Sequence, residues 1–324
     1  MAILLAPVVC GQVPLLPEGN DDISSAMHIS DPTKSLSIYG FLEAERAQFY
    51  SFDANADQRI YLVLKISTNP EEKDFRPSLA LLGPGLKTNG SLPDSLSLPK
   101  FPDNYGFMAI TGNRSGAAVY EPFGPGSYYQ MAEIDLSAPL SARYYVVVYD
   151  NAPSSATAGH YCLTMGYREV SGFSERITAP LKLIYVYLWE GQSLGTVLIP
   201  YFVAGIIGIL MVLRKKKRTA FASAGIIGSL LFLGTCSSVL TQIVFNLTRA
   251  AFTEEVYISF AIAFVSAILG VASLRFSSGE AGLVQRIGLA VMGTLALLAG
   301  SGMIVGALLV MAASVLPSLP REPK

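Results

Sequence analysis

Four stretches without a single Asp, Glu, Lys or Arg dominate the second half of the chain: residues 195–213, 219–245, 256–274 and 287–315. A helix rising 1.5 Å per residue needs about 20 residues to cross about 30 Å of hydrocarbon. One such run fits the interior of a soluble protein. Four in succession predict an α-helical membrane domain of four transmembrane helices over residues 193–324. Composition agrees, because only 15% of residues are charged, where a soluble domain carries roughly 25%. The charge is also divided unevenly. Residues 1–192 hold 13 Lys and Arg against 20 Asp and Glu, and residues 193–324 hold 10 against 4. Neither half has the basic patterning of a nucleic-acid binder.

Positive residues mark the cytoplasmic ends of spans. Arg214-Lys-Lys-Lys-Arg218 lies between the first two stretches, and Arg275 and Arg286 flank the loop between the last two. The loop between the second and third holds Arg249, Glu254 and Glu255. The expected topology is a cell-membrane, multi-pass protein with the Arg214–Arg218 loop cytoplasmic. The N-terminal domain and the short C-terminal tail then both lie outside. The triplets at Asn89, Asn113 and Asn246 fall on that outer face as candidate glycan acceptors.

The first half reads as all-β. Apolar and aromatic runs at 37–42, 48–52, 60–66, 78–82, 106–110, 117–120, 128–134, 143–149 and 160–167 alternate with turn-forming clusters. They predict a sandwich of about nine strands within an extracytoplasmic domain spanning 12–180. Residues 83–105, rich in Pro, Gly, Ser and Asn, read as a long surface loop. The runs Ala47-Gln-Phe-Tyr-Ser-Phe52, Arg59-Ile-Tyr-Leu-Val-Leu64, Ser78-Leu-Ala-Leu-Leu82 and Tyr144-Tyr-Val-Val-Val-Tyr149 are followed by a closing Gly159-His-Tyr-Cys-Leu-Thr-Met165. Their order resembles the pre-peptidase C-terminal-type β-sandwich over residues 34–169. That resemblance implies a small extracellular accessory fold. The stretch 83–127, which such domains usually lack, departs from the pattern.

Two segments flank the sandwich. Residues 1–11 carry an apolar run followed by small residues and read as a signal-peptide remnant, without a basic n-region. Residues 181–192 include Tyr185, Tyr187 and the only tryptophan, Trp189. These amphipathic types favour a membrane–water boundary, so the segment is expected to be interfacial and juxtamembrane. A last strand of the sandwich is the alternative.

Motifs for chemistry are sparse. Asp53-Ala-Asn55-Ala-Asp57 opens like a calcium loop, but Gln58 stands where Gly is required and Leu64 where a bidentate Glu is needed. A polar hairpin turn is the plainer reading. The two histidines, His28 and His160, have no partner at metal-ligand spacing, and no Gly-x-Ser-x-Gly elbow occurs. The acidic pairs Glu43/Glu45 and Glu71/Glu72 read as solvated surface. Cys10, Cys162 and Cys236 show no motif spacing, so neither a disulfide framework nor a zinc site is expected. No catalytic, cofactor-binding or metal residue is therefore nominated.

Inside the spans no ionisable group marks a pathway. Thr235, Cys236, Ser237, Ser238, Thr241 and Gln242 read as helix-packing polar residues. Gly302-Met-Ile-Val-Gly306 fits the small-xxx-small rule for contact with another helix or another copy. Ala204-Gly-Ile-Ile-Gly208 recurs as Ala224-Gly-Ile-Ile-Gly228.

The expected function is a non-catalytic cell-surface protein. It would present a β-sandwich to a partner, a glycan or the cell envelope, with the lipid bilayer and other membrane proteins as further partners. The alternatives are an accessory subunit of a larger membrane complex, a transporter or membrane enzyme, and a membrane-anchored hydrolase.

Overall fold

The computed structural model describes residues 13–318, apart from 18, 94–95, 97, 101, 115, 151–157, 169–171 and 216–217. The reading of residues 1–11 as a signal remnant, with Cys10, lies outside the described residues.

Among the described residues eleven strands form two sheets. Sheet A has the order β1 (Val13–Leu15), β3 (Leu36–Leu42), β11 (Gly159–Met165), β5 (Arg59–Ser67), β9 (Gly126–Ser137), β8 (Val119–Glu121). Sheet B has the order β2 (Met27–Ile29), β4 (Ala47–Ala54), β10 (Ala142–Asp150), β6 (Pro77–Pro84), β7 (Tyr105–Ile110). All nine runs read from the sequence become strands. The two additional strands are three-residue segments that add in parallel, β1 to β3 and β2 to β4.

Strand alternation explains the packing. Leu62, Leu64 and Ile66 of β5 face Tyr50, Phe52, Val146 and Val148 of sheet B, and together with Leu163 they form the core between the sheets. The alternate residues are buried too. Val147 and Tyr149 of β10 and Ala80 and Leu82 of β6 point outward from sheet B. They are covered by Leu92, Leu96 and Leu98 of the long connection 85–104. Its described part is the surface loop expected, mostly exposed, with Leu92, Leu96 and Leu98 serving as a lid on sheet B. The Asn55–Gln58 turn joins β4 to β5, which belong to different sheets, so the expected hairpin turn is an arch between layers. Tyr144 locks the crossing from β9 to β10: its Oη donates to Leu140 O at 2.8 Å and accepts from Leu140 N–H at 3.2 Å.

Six helices follow. α1 (Phe173–Trp189) begins ahead of the expected 181 boundary, and residues 181–189 are helical rather than a last strand. α2 (Leu194–Arg214), α3 (Ala220–Leu247) and α4 (Val256–Ser278) are the three helices long and apolar enough to cross a membrane among the described residues. Their ends follow ordinary capping chemistry. Ser193 Oγ accepts from Thr196 N–H, Thr219 Oγ1 accepts from Ala222 N–H, and Arg214 sits in the last turn of α2.

The fourth uncharged stretch corrects the expectation of four spans. It is two helices, α5 (Leu283–Leu298) and α6 (Val305–Val315), of 16 and 11 residues. At 1.5 Å per residue these are about 24 and about 16 Å long, short of a hydrocarbon layer of about 30 Å. The chain reverses between them, with positive φ at Gly300, Gly302, Met303 and Ile304. The two helices then run antiparallel. Arg286 at the start of α5 donates to Ser314 O and Leu316 O at the end of α6. The turn reaches the middle of α3, where Gly302 N–H donates to Thr235 Oγ1 at 2.7 Å, and Ser301 meets Ser266 of α4 at 2.7 Å.

The last described residues return to the basic-loop end of the helices, where Phe221 N–H donates to Pro317 O. Pro317 and the β domain therefore lie at opposite ends of the helices. One further expectation changes with this hairpin. Gly302 lies in the turn, so Gly302 and Gly306 are not one helical motif. Both lie against α3: a Cβ on Gly302 would fall 2.7 Å from the Phe232 ring, and one on Gly306 3.0 Å from Leu231 Cβ. The two Ala-Gly-Ile-Ile-Gly repeats also have different neighbours. Gly208 lies beside Ile227, and Gly228 beside Gly306 and Val310.

Candidate functional site: the junction between sandwich and helices

Polar residues buried where the β domain meets the helices form a connected network. Its centre is the turn Glu190–Gln192 between α1 and α2. Gly191 takes φ +83°, and a Cβ there would strike the Asn69 side chain at 2.7 Å, so the turn requires glycine. The Glu190 carboxylate accepts from Ser127 N–H and from Gln192 Nε2, each at 3.1 Å. Gln192 and Gln242 exchange amide hydrogen bonds of 2.7 and 2.9 Å. One turn along α3, Asn246 Nδ2 donates to Pro125 O at 2.9 Å and to Gln242 O at 3.0 Å. Its Oδ1 accepts from Ser127 Oγ at 2.8 Å, and Ser127 Oγ also meets Thr68 Oγ1 at 2.7 Å.

Glu190, Gln192, Gln242, Asn246, Ser127 and Thr68 are all buried. Both Nδ2 donors of Asn246 are used, as are both Nε2 donors of Gln192. A buried polar network is stabilising and specific only when its members are satisfied, and this one meets that condition. Beside it, Tyr120 Oη donates to Ser259 Oγ of α4 at 2.9 Å, and Ser259 donates to Pro122 O at 2.6 Å. Burial pushes the Glu190 carboxyl up to about 8, against the Ser127 and Gln192 hydrogen bonds and the Arg249 charge. Burial thus shifts this carboxyl toward its neutral form.

Between this network and the outward face of sheet A lies a cavity of about 180 Å³. Ser37, Tyr39, Lys65, Tyr128 and Cys162 line it from the sheet, Pro180, Leu183 and Ile184 from α1, and Leu298, Gly300 and Met303 from the hairpin tip. Lys65 is 9% exposed and holds Nζ 4.2 Å from the Tyr128 ring centroid. Burial pulls its pKa down, but Tyr128, Cys162 and Glu121 outweigh that and hold it above the ordinary lysine value. Trp189 closes one wall. Its Nε1 donates to Tyr161 O at 3.1 Å and its ring meets Tyr39 edge-on at 5.2 Å. Trp189 and Tyr187 are buried against the protein, while Tyr185 is exposed. Of the three expected boundary aromatics, only Tyr185 is thus outward-facing.

The residues singled out from the sequence are dispersed. Asp53 pairs with Arg143 at 2.9 and 3.0 Å, and this pairing holds its carboxyl below the usual range. His28 Nε2 lies 4.0 Å from Asp53. His160 is bound by Glu72, which accepts its backbone N–H at 2.9 Å and lies 2.5 Å from Nδ1. Neither Asp53 nor His160 lines the cavity. Among the described residues no group of three or more His, Cys, Asp or Glu could hold a metal ion. Cys162 and Cys236 are free. Asn89 and Asn113 are exposed, but Asn246 is fully buried in the network, so its triplet is not an open glycan acceptor.

Sequence reasoning passed over Glu190, Gln192 and Asn246 as members of a site. Their signal was present: Gln242 and Asn246 stand four apart, on one face of a helix end, where polar side chains need partners.

No known protein family and no curated protein sequence matches the chain. Two solved structures similar to part of it are β-rich. One is PliG of Salmonella Typhimurium, a periplasmic inhibitor of g-type lysozyme. It is 13% identical over 44% of this chain and 99% of that one, with a TM-score of 0.24. The other is the pre-peptidase C-terminal domain of a collagenase from Bacillus anthracis, 16% identical over 43% of this chain and 91% of that one, again with a TM-score of 0.24.

Proposed function

We propose that this chain is a non-catalytic, multi-pass membrane protein that presents its β-sandwich, on the extracytoplasmic side, as a fixed binding head. The observation that carries this reading is the buried network around Glu190 and Asn246. A head on a flexible tether needs no such junction, whereas a head held at one angle to the membrane does. Orientation follows from charge. The head packs on the Asn246 and Ser259 end of the helices, and the basic residues Arg214, Lys215 and Arg218 occupy the other. Pro317, at the end of α6, then lies on the cytoplasmic side with that loop.

The test is lysine labelling of intact cells with a membrane-impermeant reagent. Lys87 and Lys100, exposed in the sheet B lid, are expected to react while Lys215 stays protected. Labelling of Lys215 alone would overturn the orientation. Turnover of a peptide or small-molecule substrate by the purified full chain would overturn the non-catalytic reading.

A further inference from the structure

The cavity beneath sheet A has two chemically different ends. At the sheet end stand Lys65, Tyr128 and Glu121. At the other end Leu183, Ile184, Leu298 and Met303 form apolar walls between α1 and the hairpin tip. The tip lies level with Thr235, eleven residues along α3 from Asn246, so the cavity descends about 16 Å into the helical part. We propose that this cavity binds a single-chain amphiphile, with its anionic headgroup at Lys65 and its acyl chain lying between α1 and the hairpin tip.

Three observations support the assignment. A lysine nine-tenths buried in a cavity wall is a poor choice for packing alone, because its ammonium must be taken out of water. Here the charge is kept rather than neutralised, with Nζ over the Tyr128 ring and the Glu121 carboxylate acting on it from the same end of the cavity. The volume sets the number of chains. About 180 Å³ is little more than the roughly 150 Å³ cavity that takes one benzene, so one chain enters and extends outward, and two do not fit. Glu121 lines the same end, which favours a head carrying a cation beside its anion, such as phosphoethanolamine, over a bare carboxylate.

Trp189 supplies the probe, since it is the only tryptophan and forms part of the cavity wall. The full chain in phosphatidylcholine nanodiscs would be titrated with lysophosphatidylethanolamine bearing a brominated chain. Saturable quenching of Trp189 fluorescence is expected, reversed by the unlabelled lipid and not by an alkyl maltoside. Lys65→Met should weaken binding tenfold or more. Unlabelled fatty acid separates the sources of the anion: displacement as strong as that by the lysolipid supports an anion-only site, and weaker displacement supports one that also reads the cation. Quenching that never saturates, or that the maltoside reverses equally well, overturns the proposal even if Lys65→Met fails to fold. So does a folded Lys65→Met protein that binds as tightly as the original.

Discussion

Both sheets of the sandwich are covered over part of their outer faces, but the two covers differ in kind. Sheet B is covered by the chain's own 85–104 lid through apolar contacts of Leu92, Leu96 and Leu98 with Ala80, Leu82, Val147 and Tyr149. Sheet A is covered by α1 and the helical bundle, through Trp189 and a closed set of hydrogen bonds. Apolar contact tolerates small changes of shape and angle. A satisfied polar network does not, because a displaced donor is left without partner or water. The sandwich therefore has a tolerant cover on one side and an angle-setting one on the other.

Removing the main apolar anchor of the sheet A cover should have the largest effect. Trp189→Ala is expected to cost about 3–5 kcal/mol, the usual range for a buried tryptophan. Proteolysis should then separate head from helices before either unfolds. Asn246→Leu comes next. It leaves Pro125 O without its donor and removes one of the two partners of Ser127 Oγ, which keeps Thr68 Oγ1, at about 1–3 kcal/mol, read as faster hydrogen exchange in β9 and the end of α3.

The junction should also respond to pH. Because the folded pKa of Glu190 is raised to about 8 from an ordinary 4.5, the folded protein holds the proton longer than the unfolded one. The stability this contributes is full below about 4.5 and is lost as pH climbs to about 8. The expected signature is a Tm that falls across that window, and Glu190→Gln should flatten it. A Tm that rises instead would show that the carboxyl is ionised within the junction.

Weakening the other cover sharpens the contrast. Leu96→Ala should cost only about 1 kcal/mol, since the side chain is half-buried, and should leave head–helix exchange rates unchanged. Asp53→Asn breaks an ion pair whose partners are 60% and 51% exposed, so its effect on Tm should correspond to less than about 1 kcal/mol.

How much of this was legible in the sequence depended on the range of the interaction. Strands such as Tyr144–Tyr149 were readable because their apolar runs are local, while β1 and β2 are three residues long and exist only through parallel partners in distant strands. The 287–315 stretch looked like one span because uncharged composition does not distinguish a crossing from a return. Gly300-Ser301-Gly302 carried the missing turn signal. Non-glycine residues at positive φ, Met303 and Ile304, gave no such signal. At the junction, Asn246 read as a glycan acceptor because its triplet is local, whereas its actual partners, Ser127 and Pro125, lie about 120 residues away.

The hairpin has a consequence for biogenesis. Three crossing helices can be threaded and the head seated before α5 and α6 are placed at all. The pair can then slip in from the leaflet beside Arg286 as a wedge, with no charged residue carried through the oil. Only the turn's own peptide groups and Ser301 must reach depth, and Thr235 and Ser266 wait there to receive them.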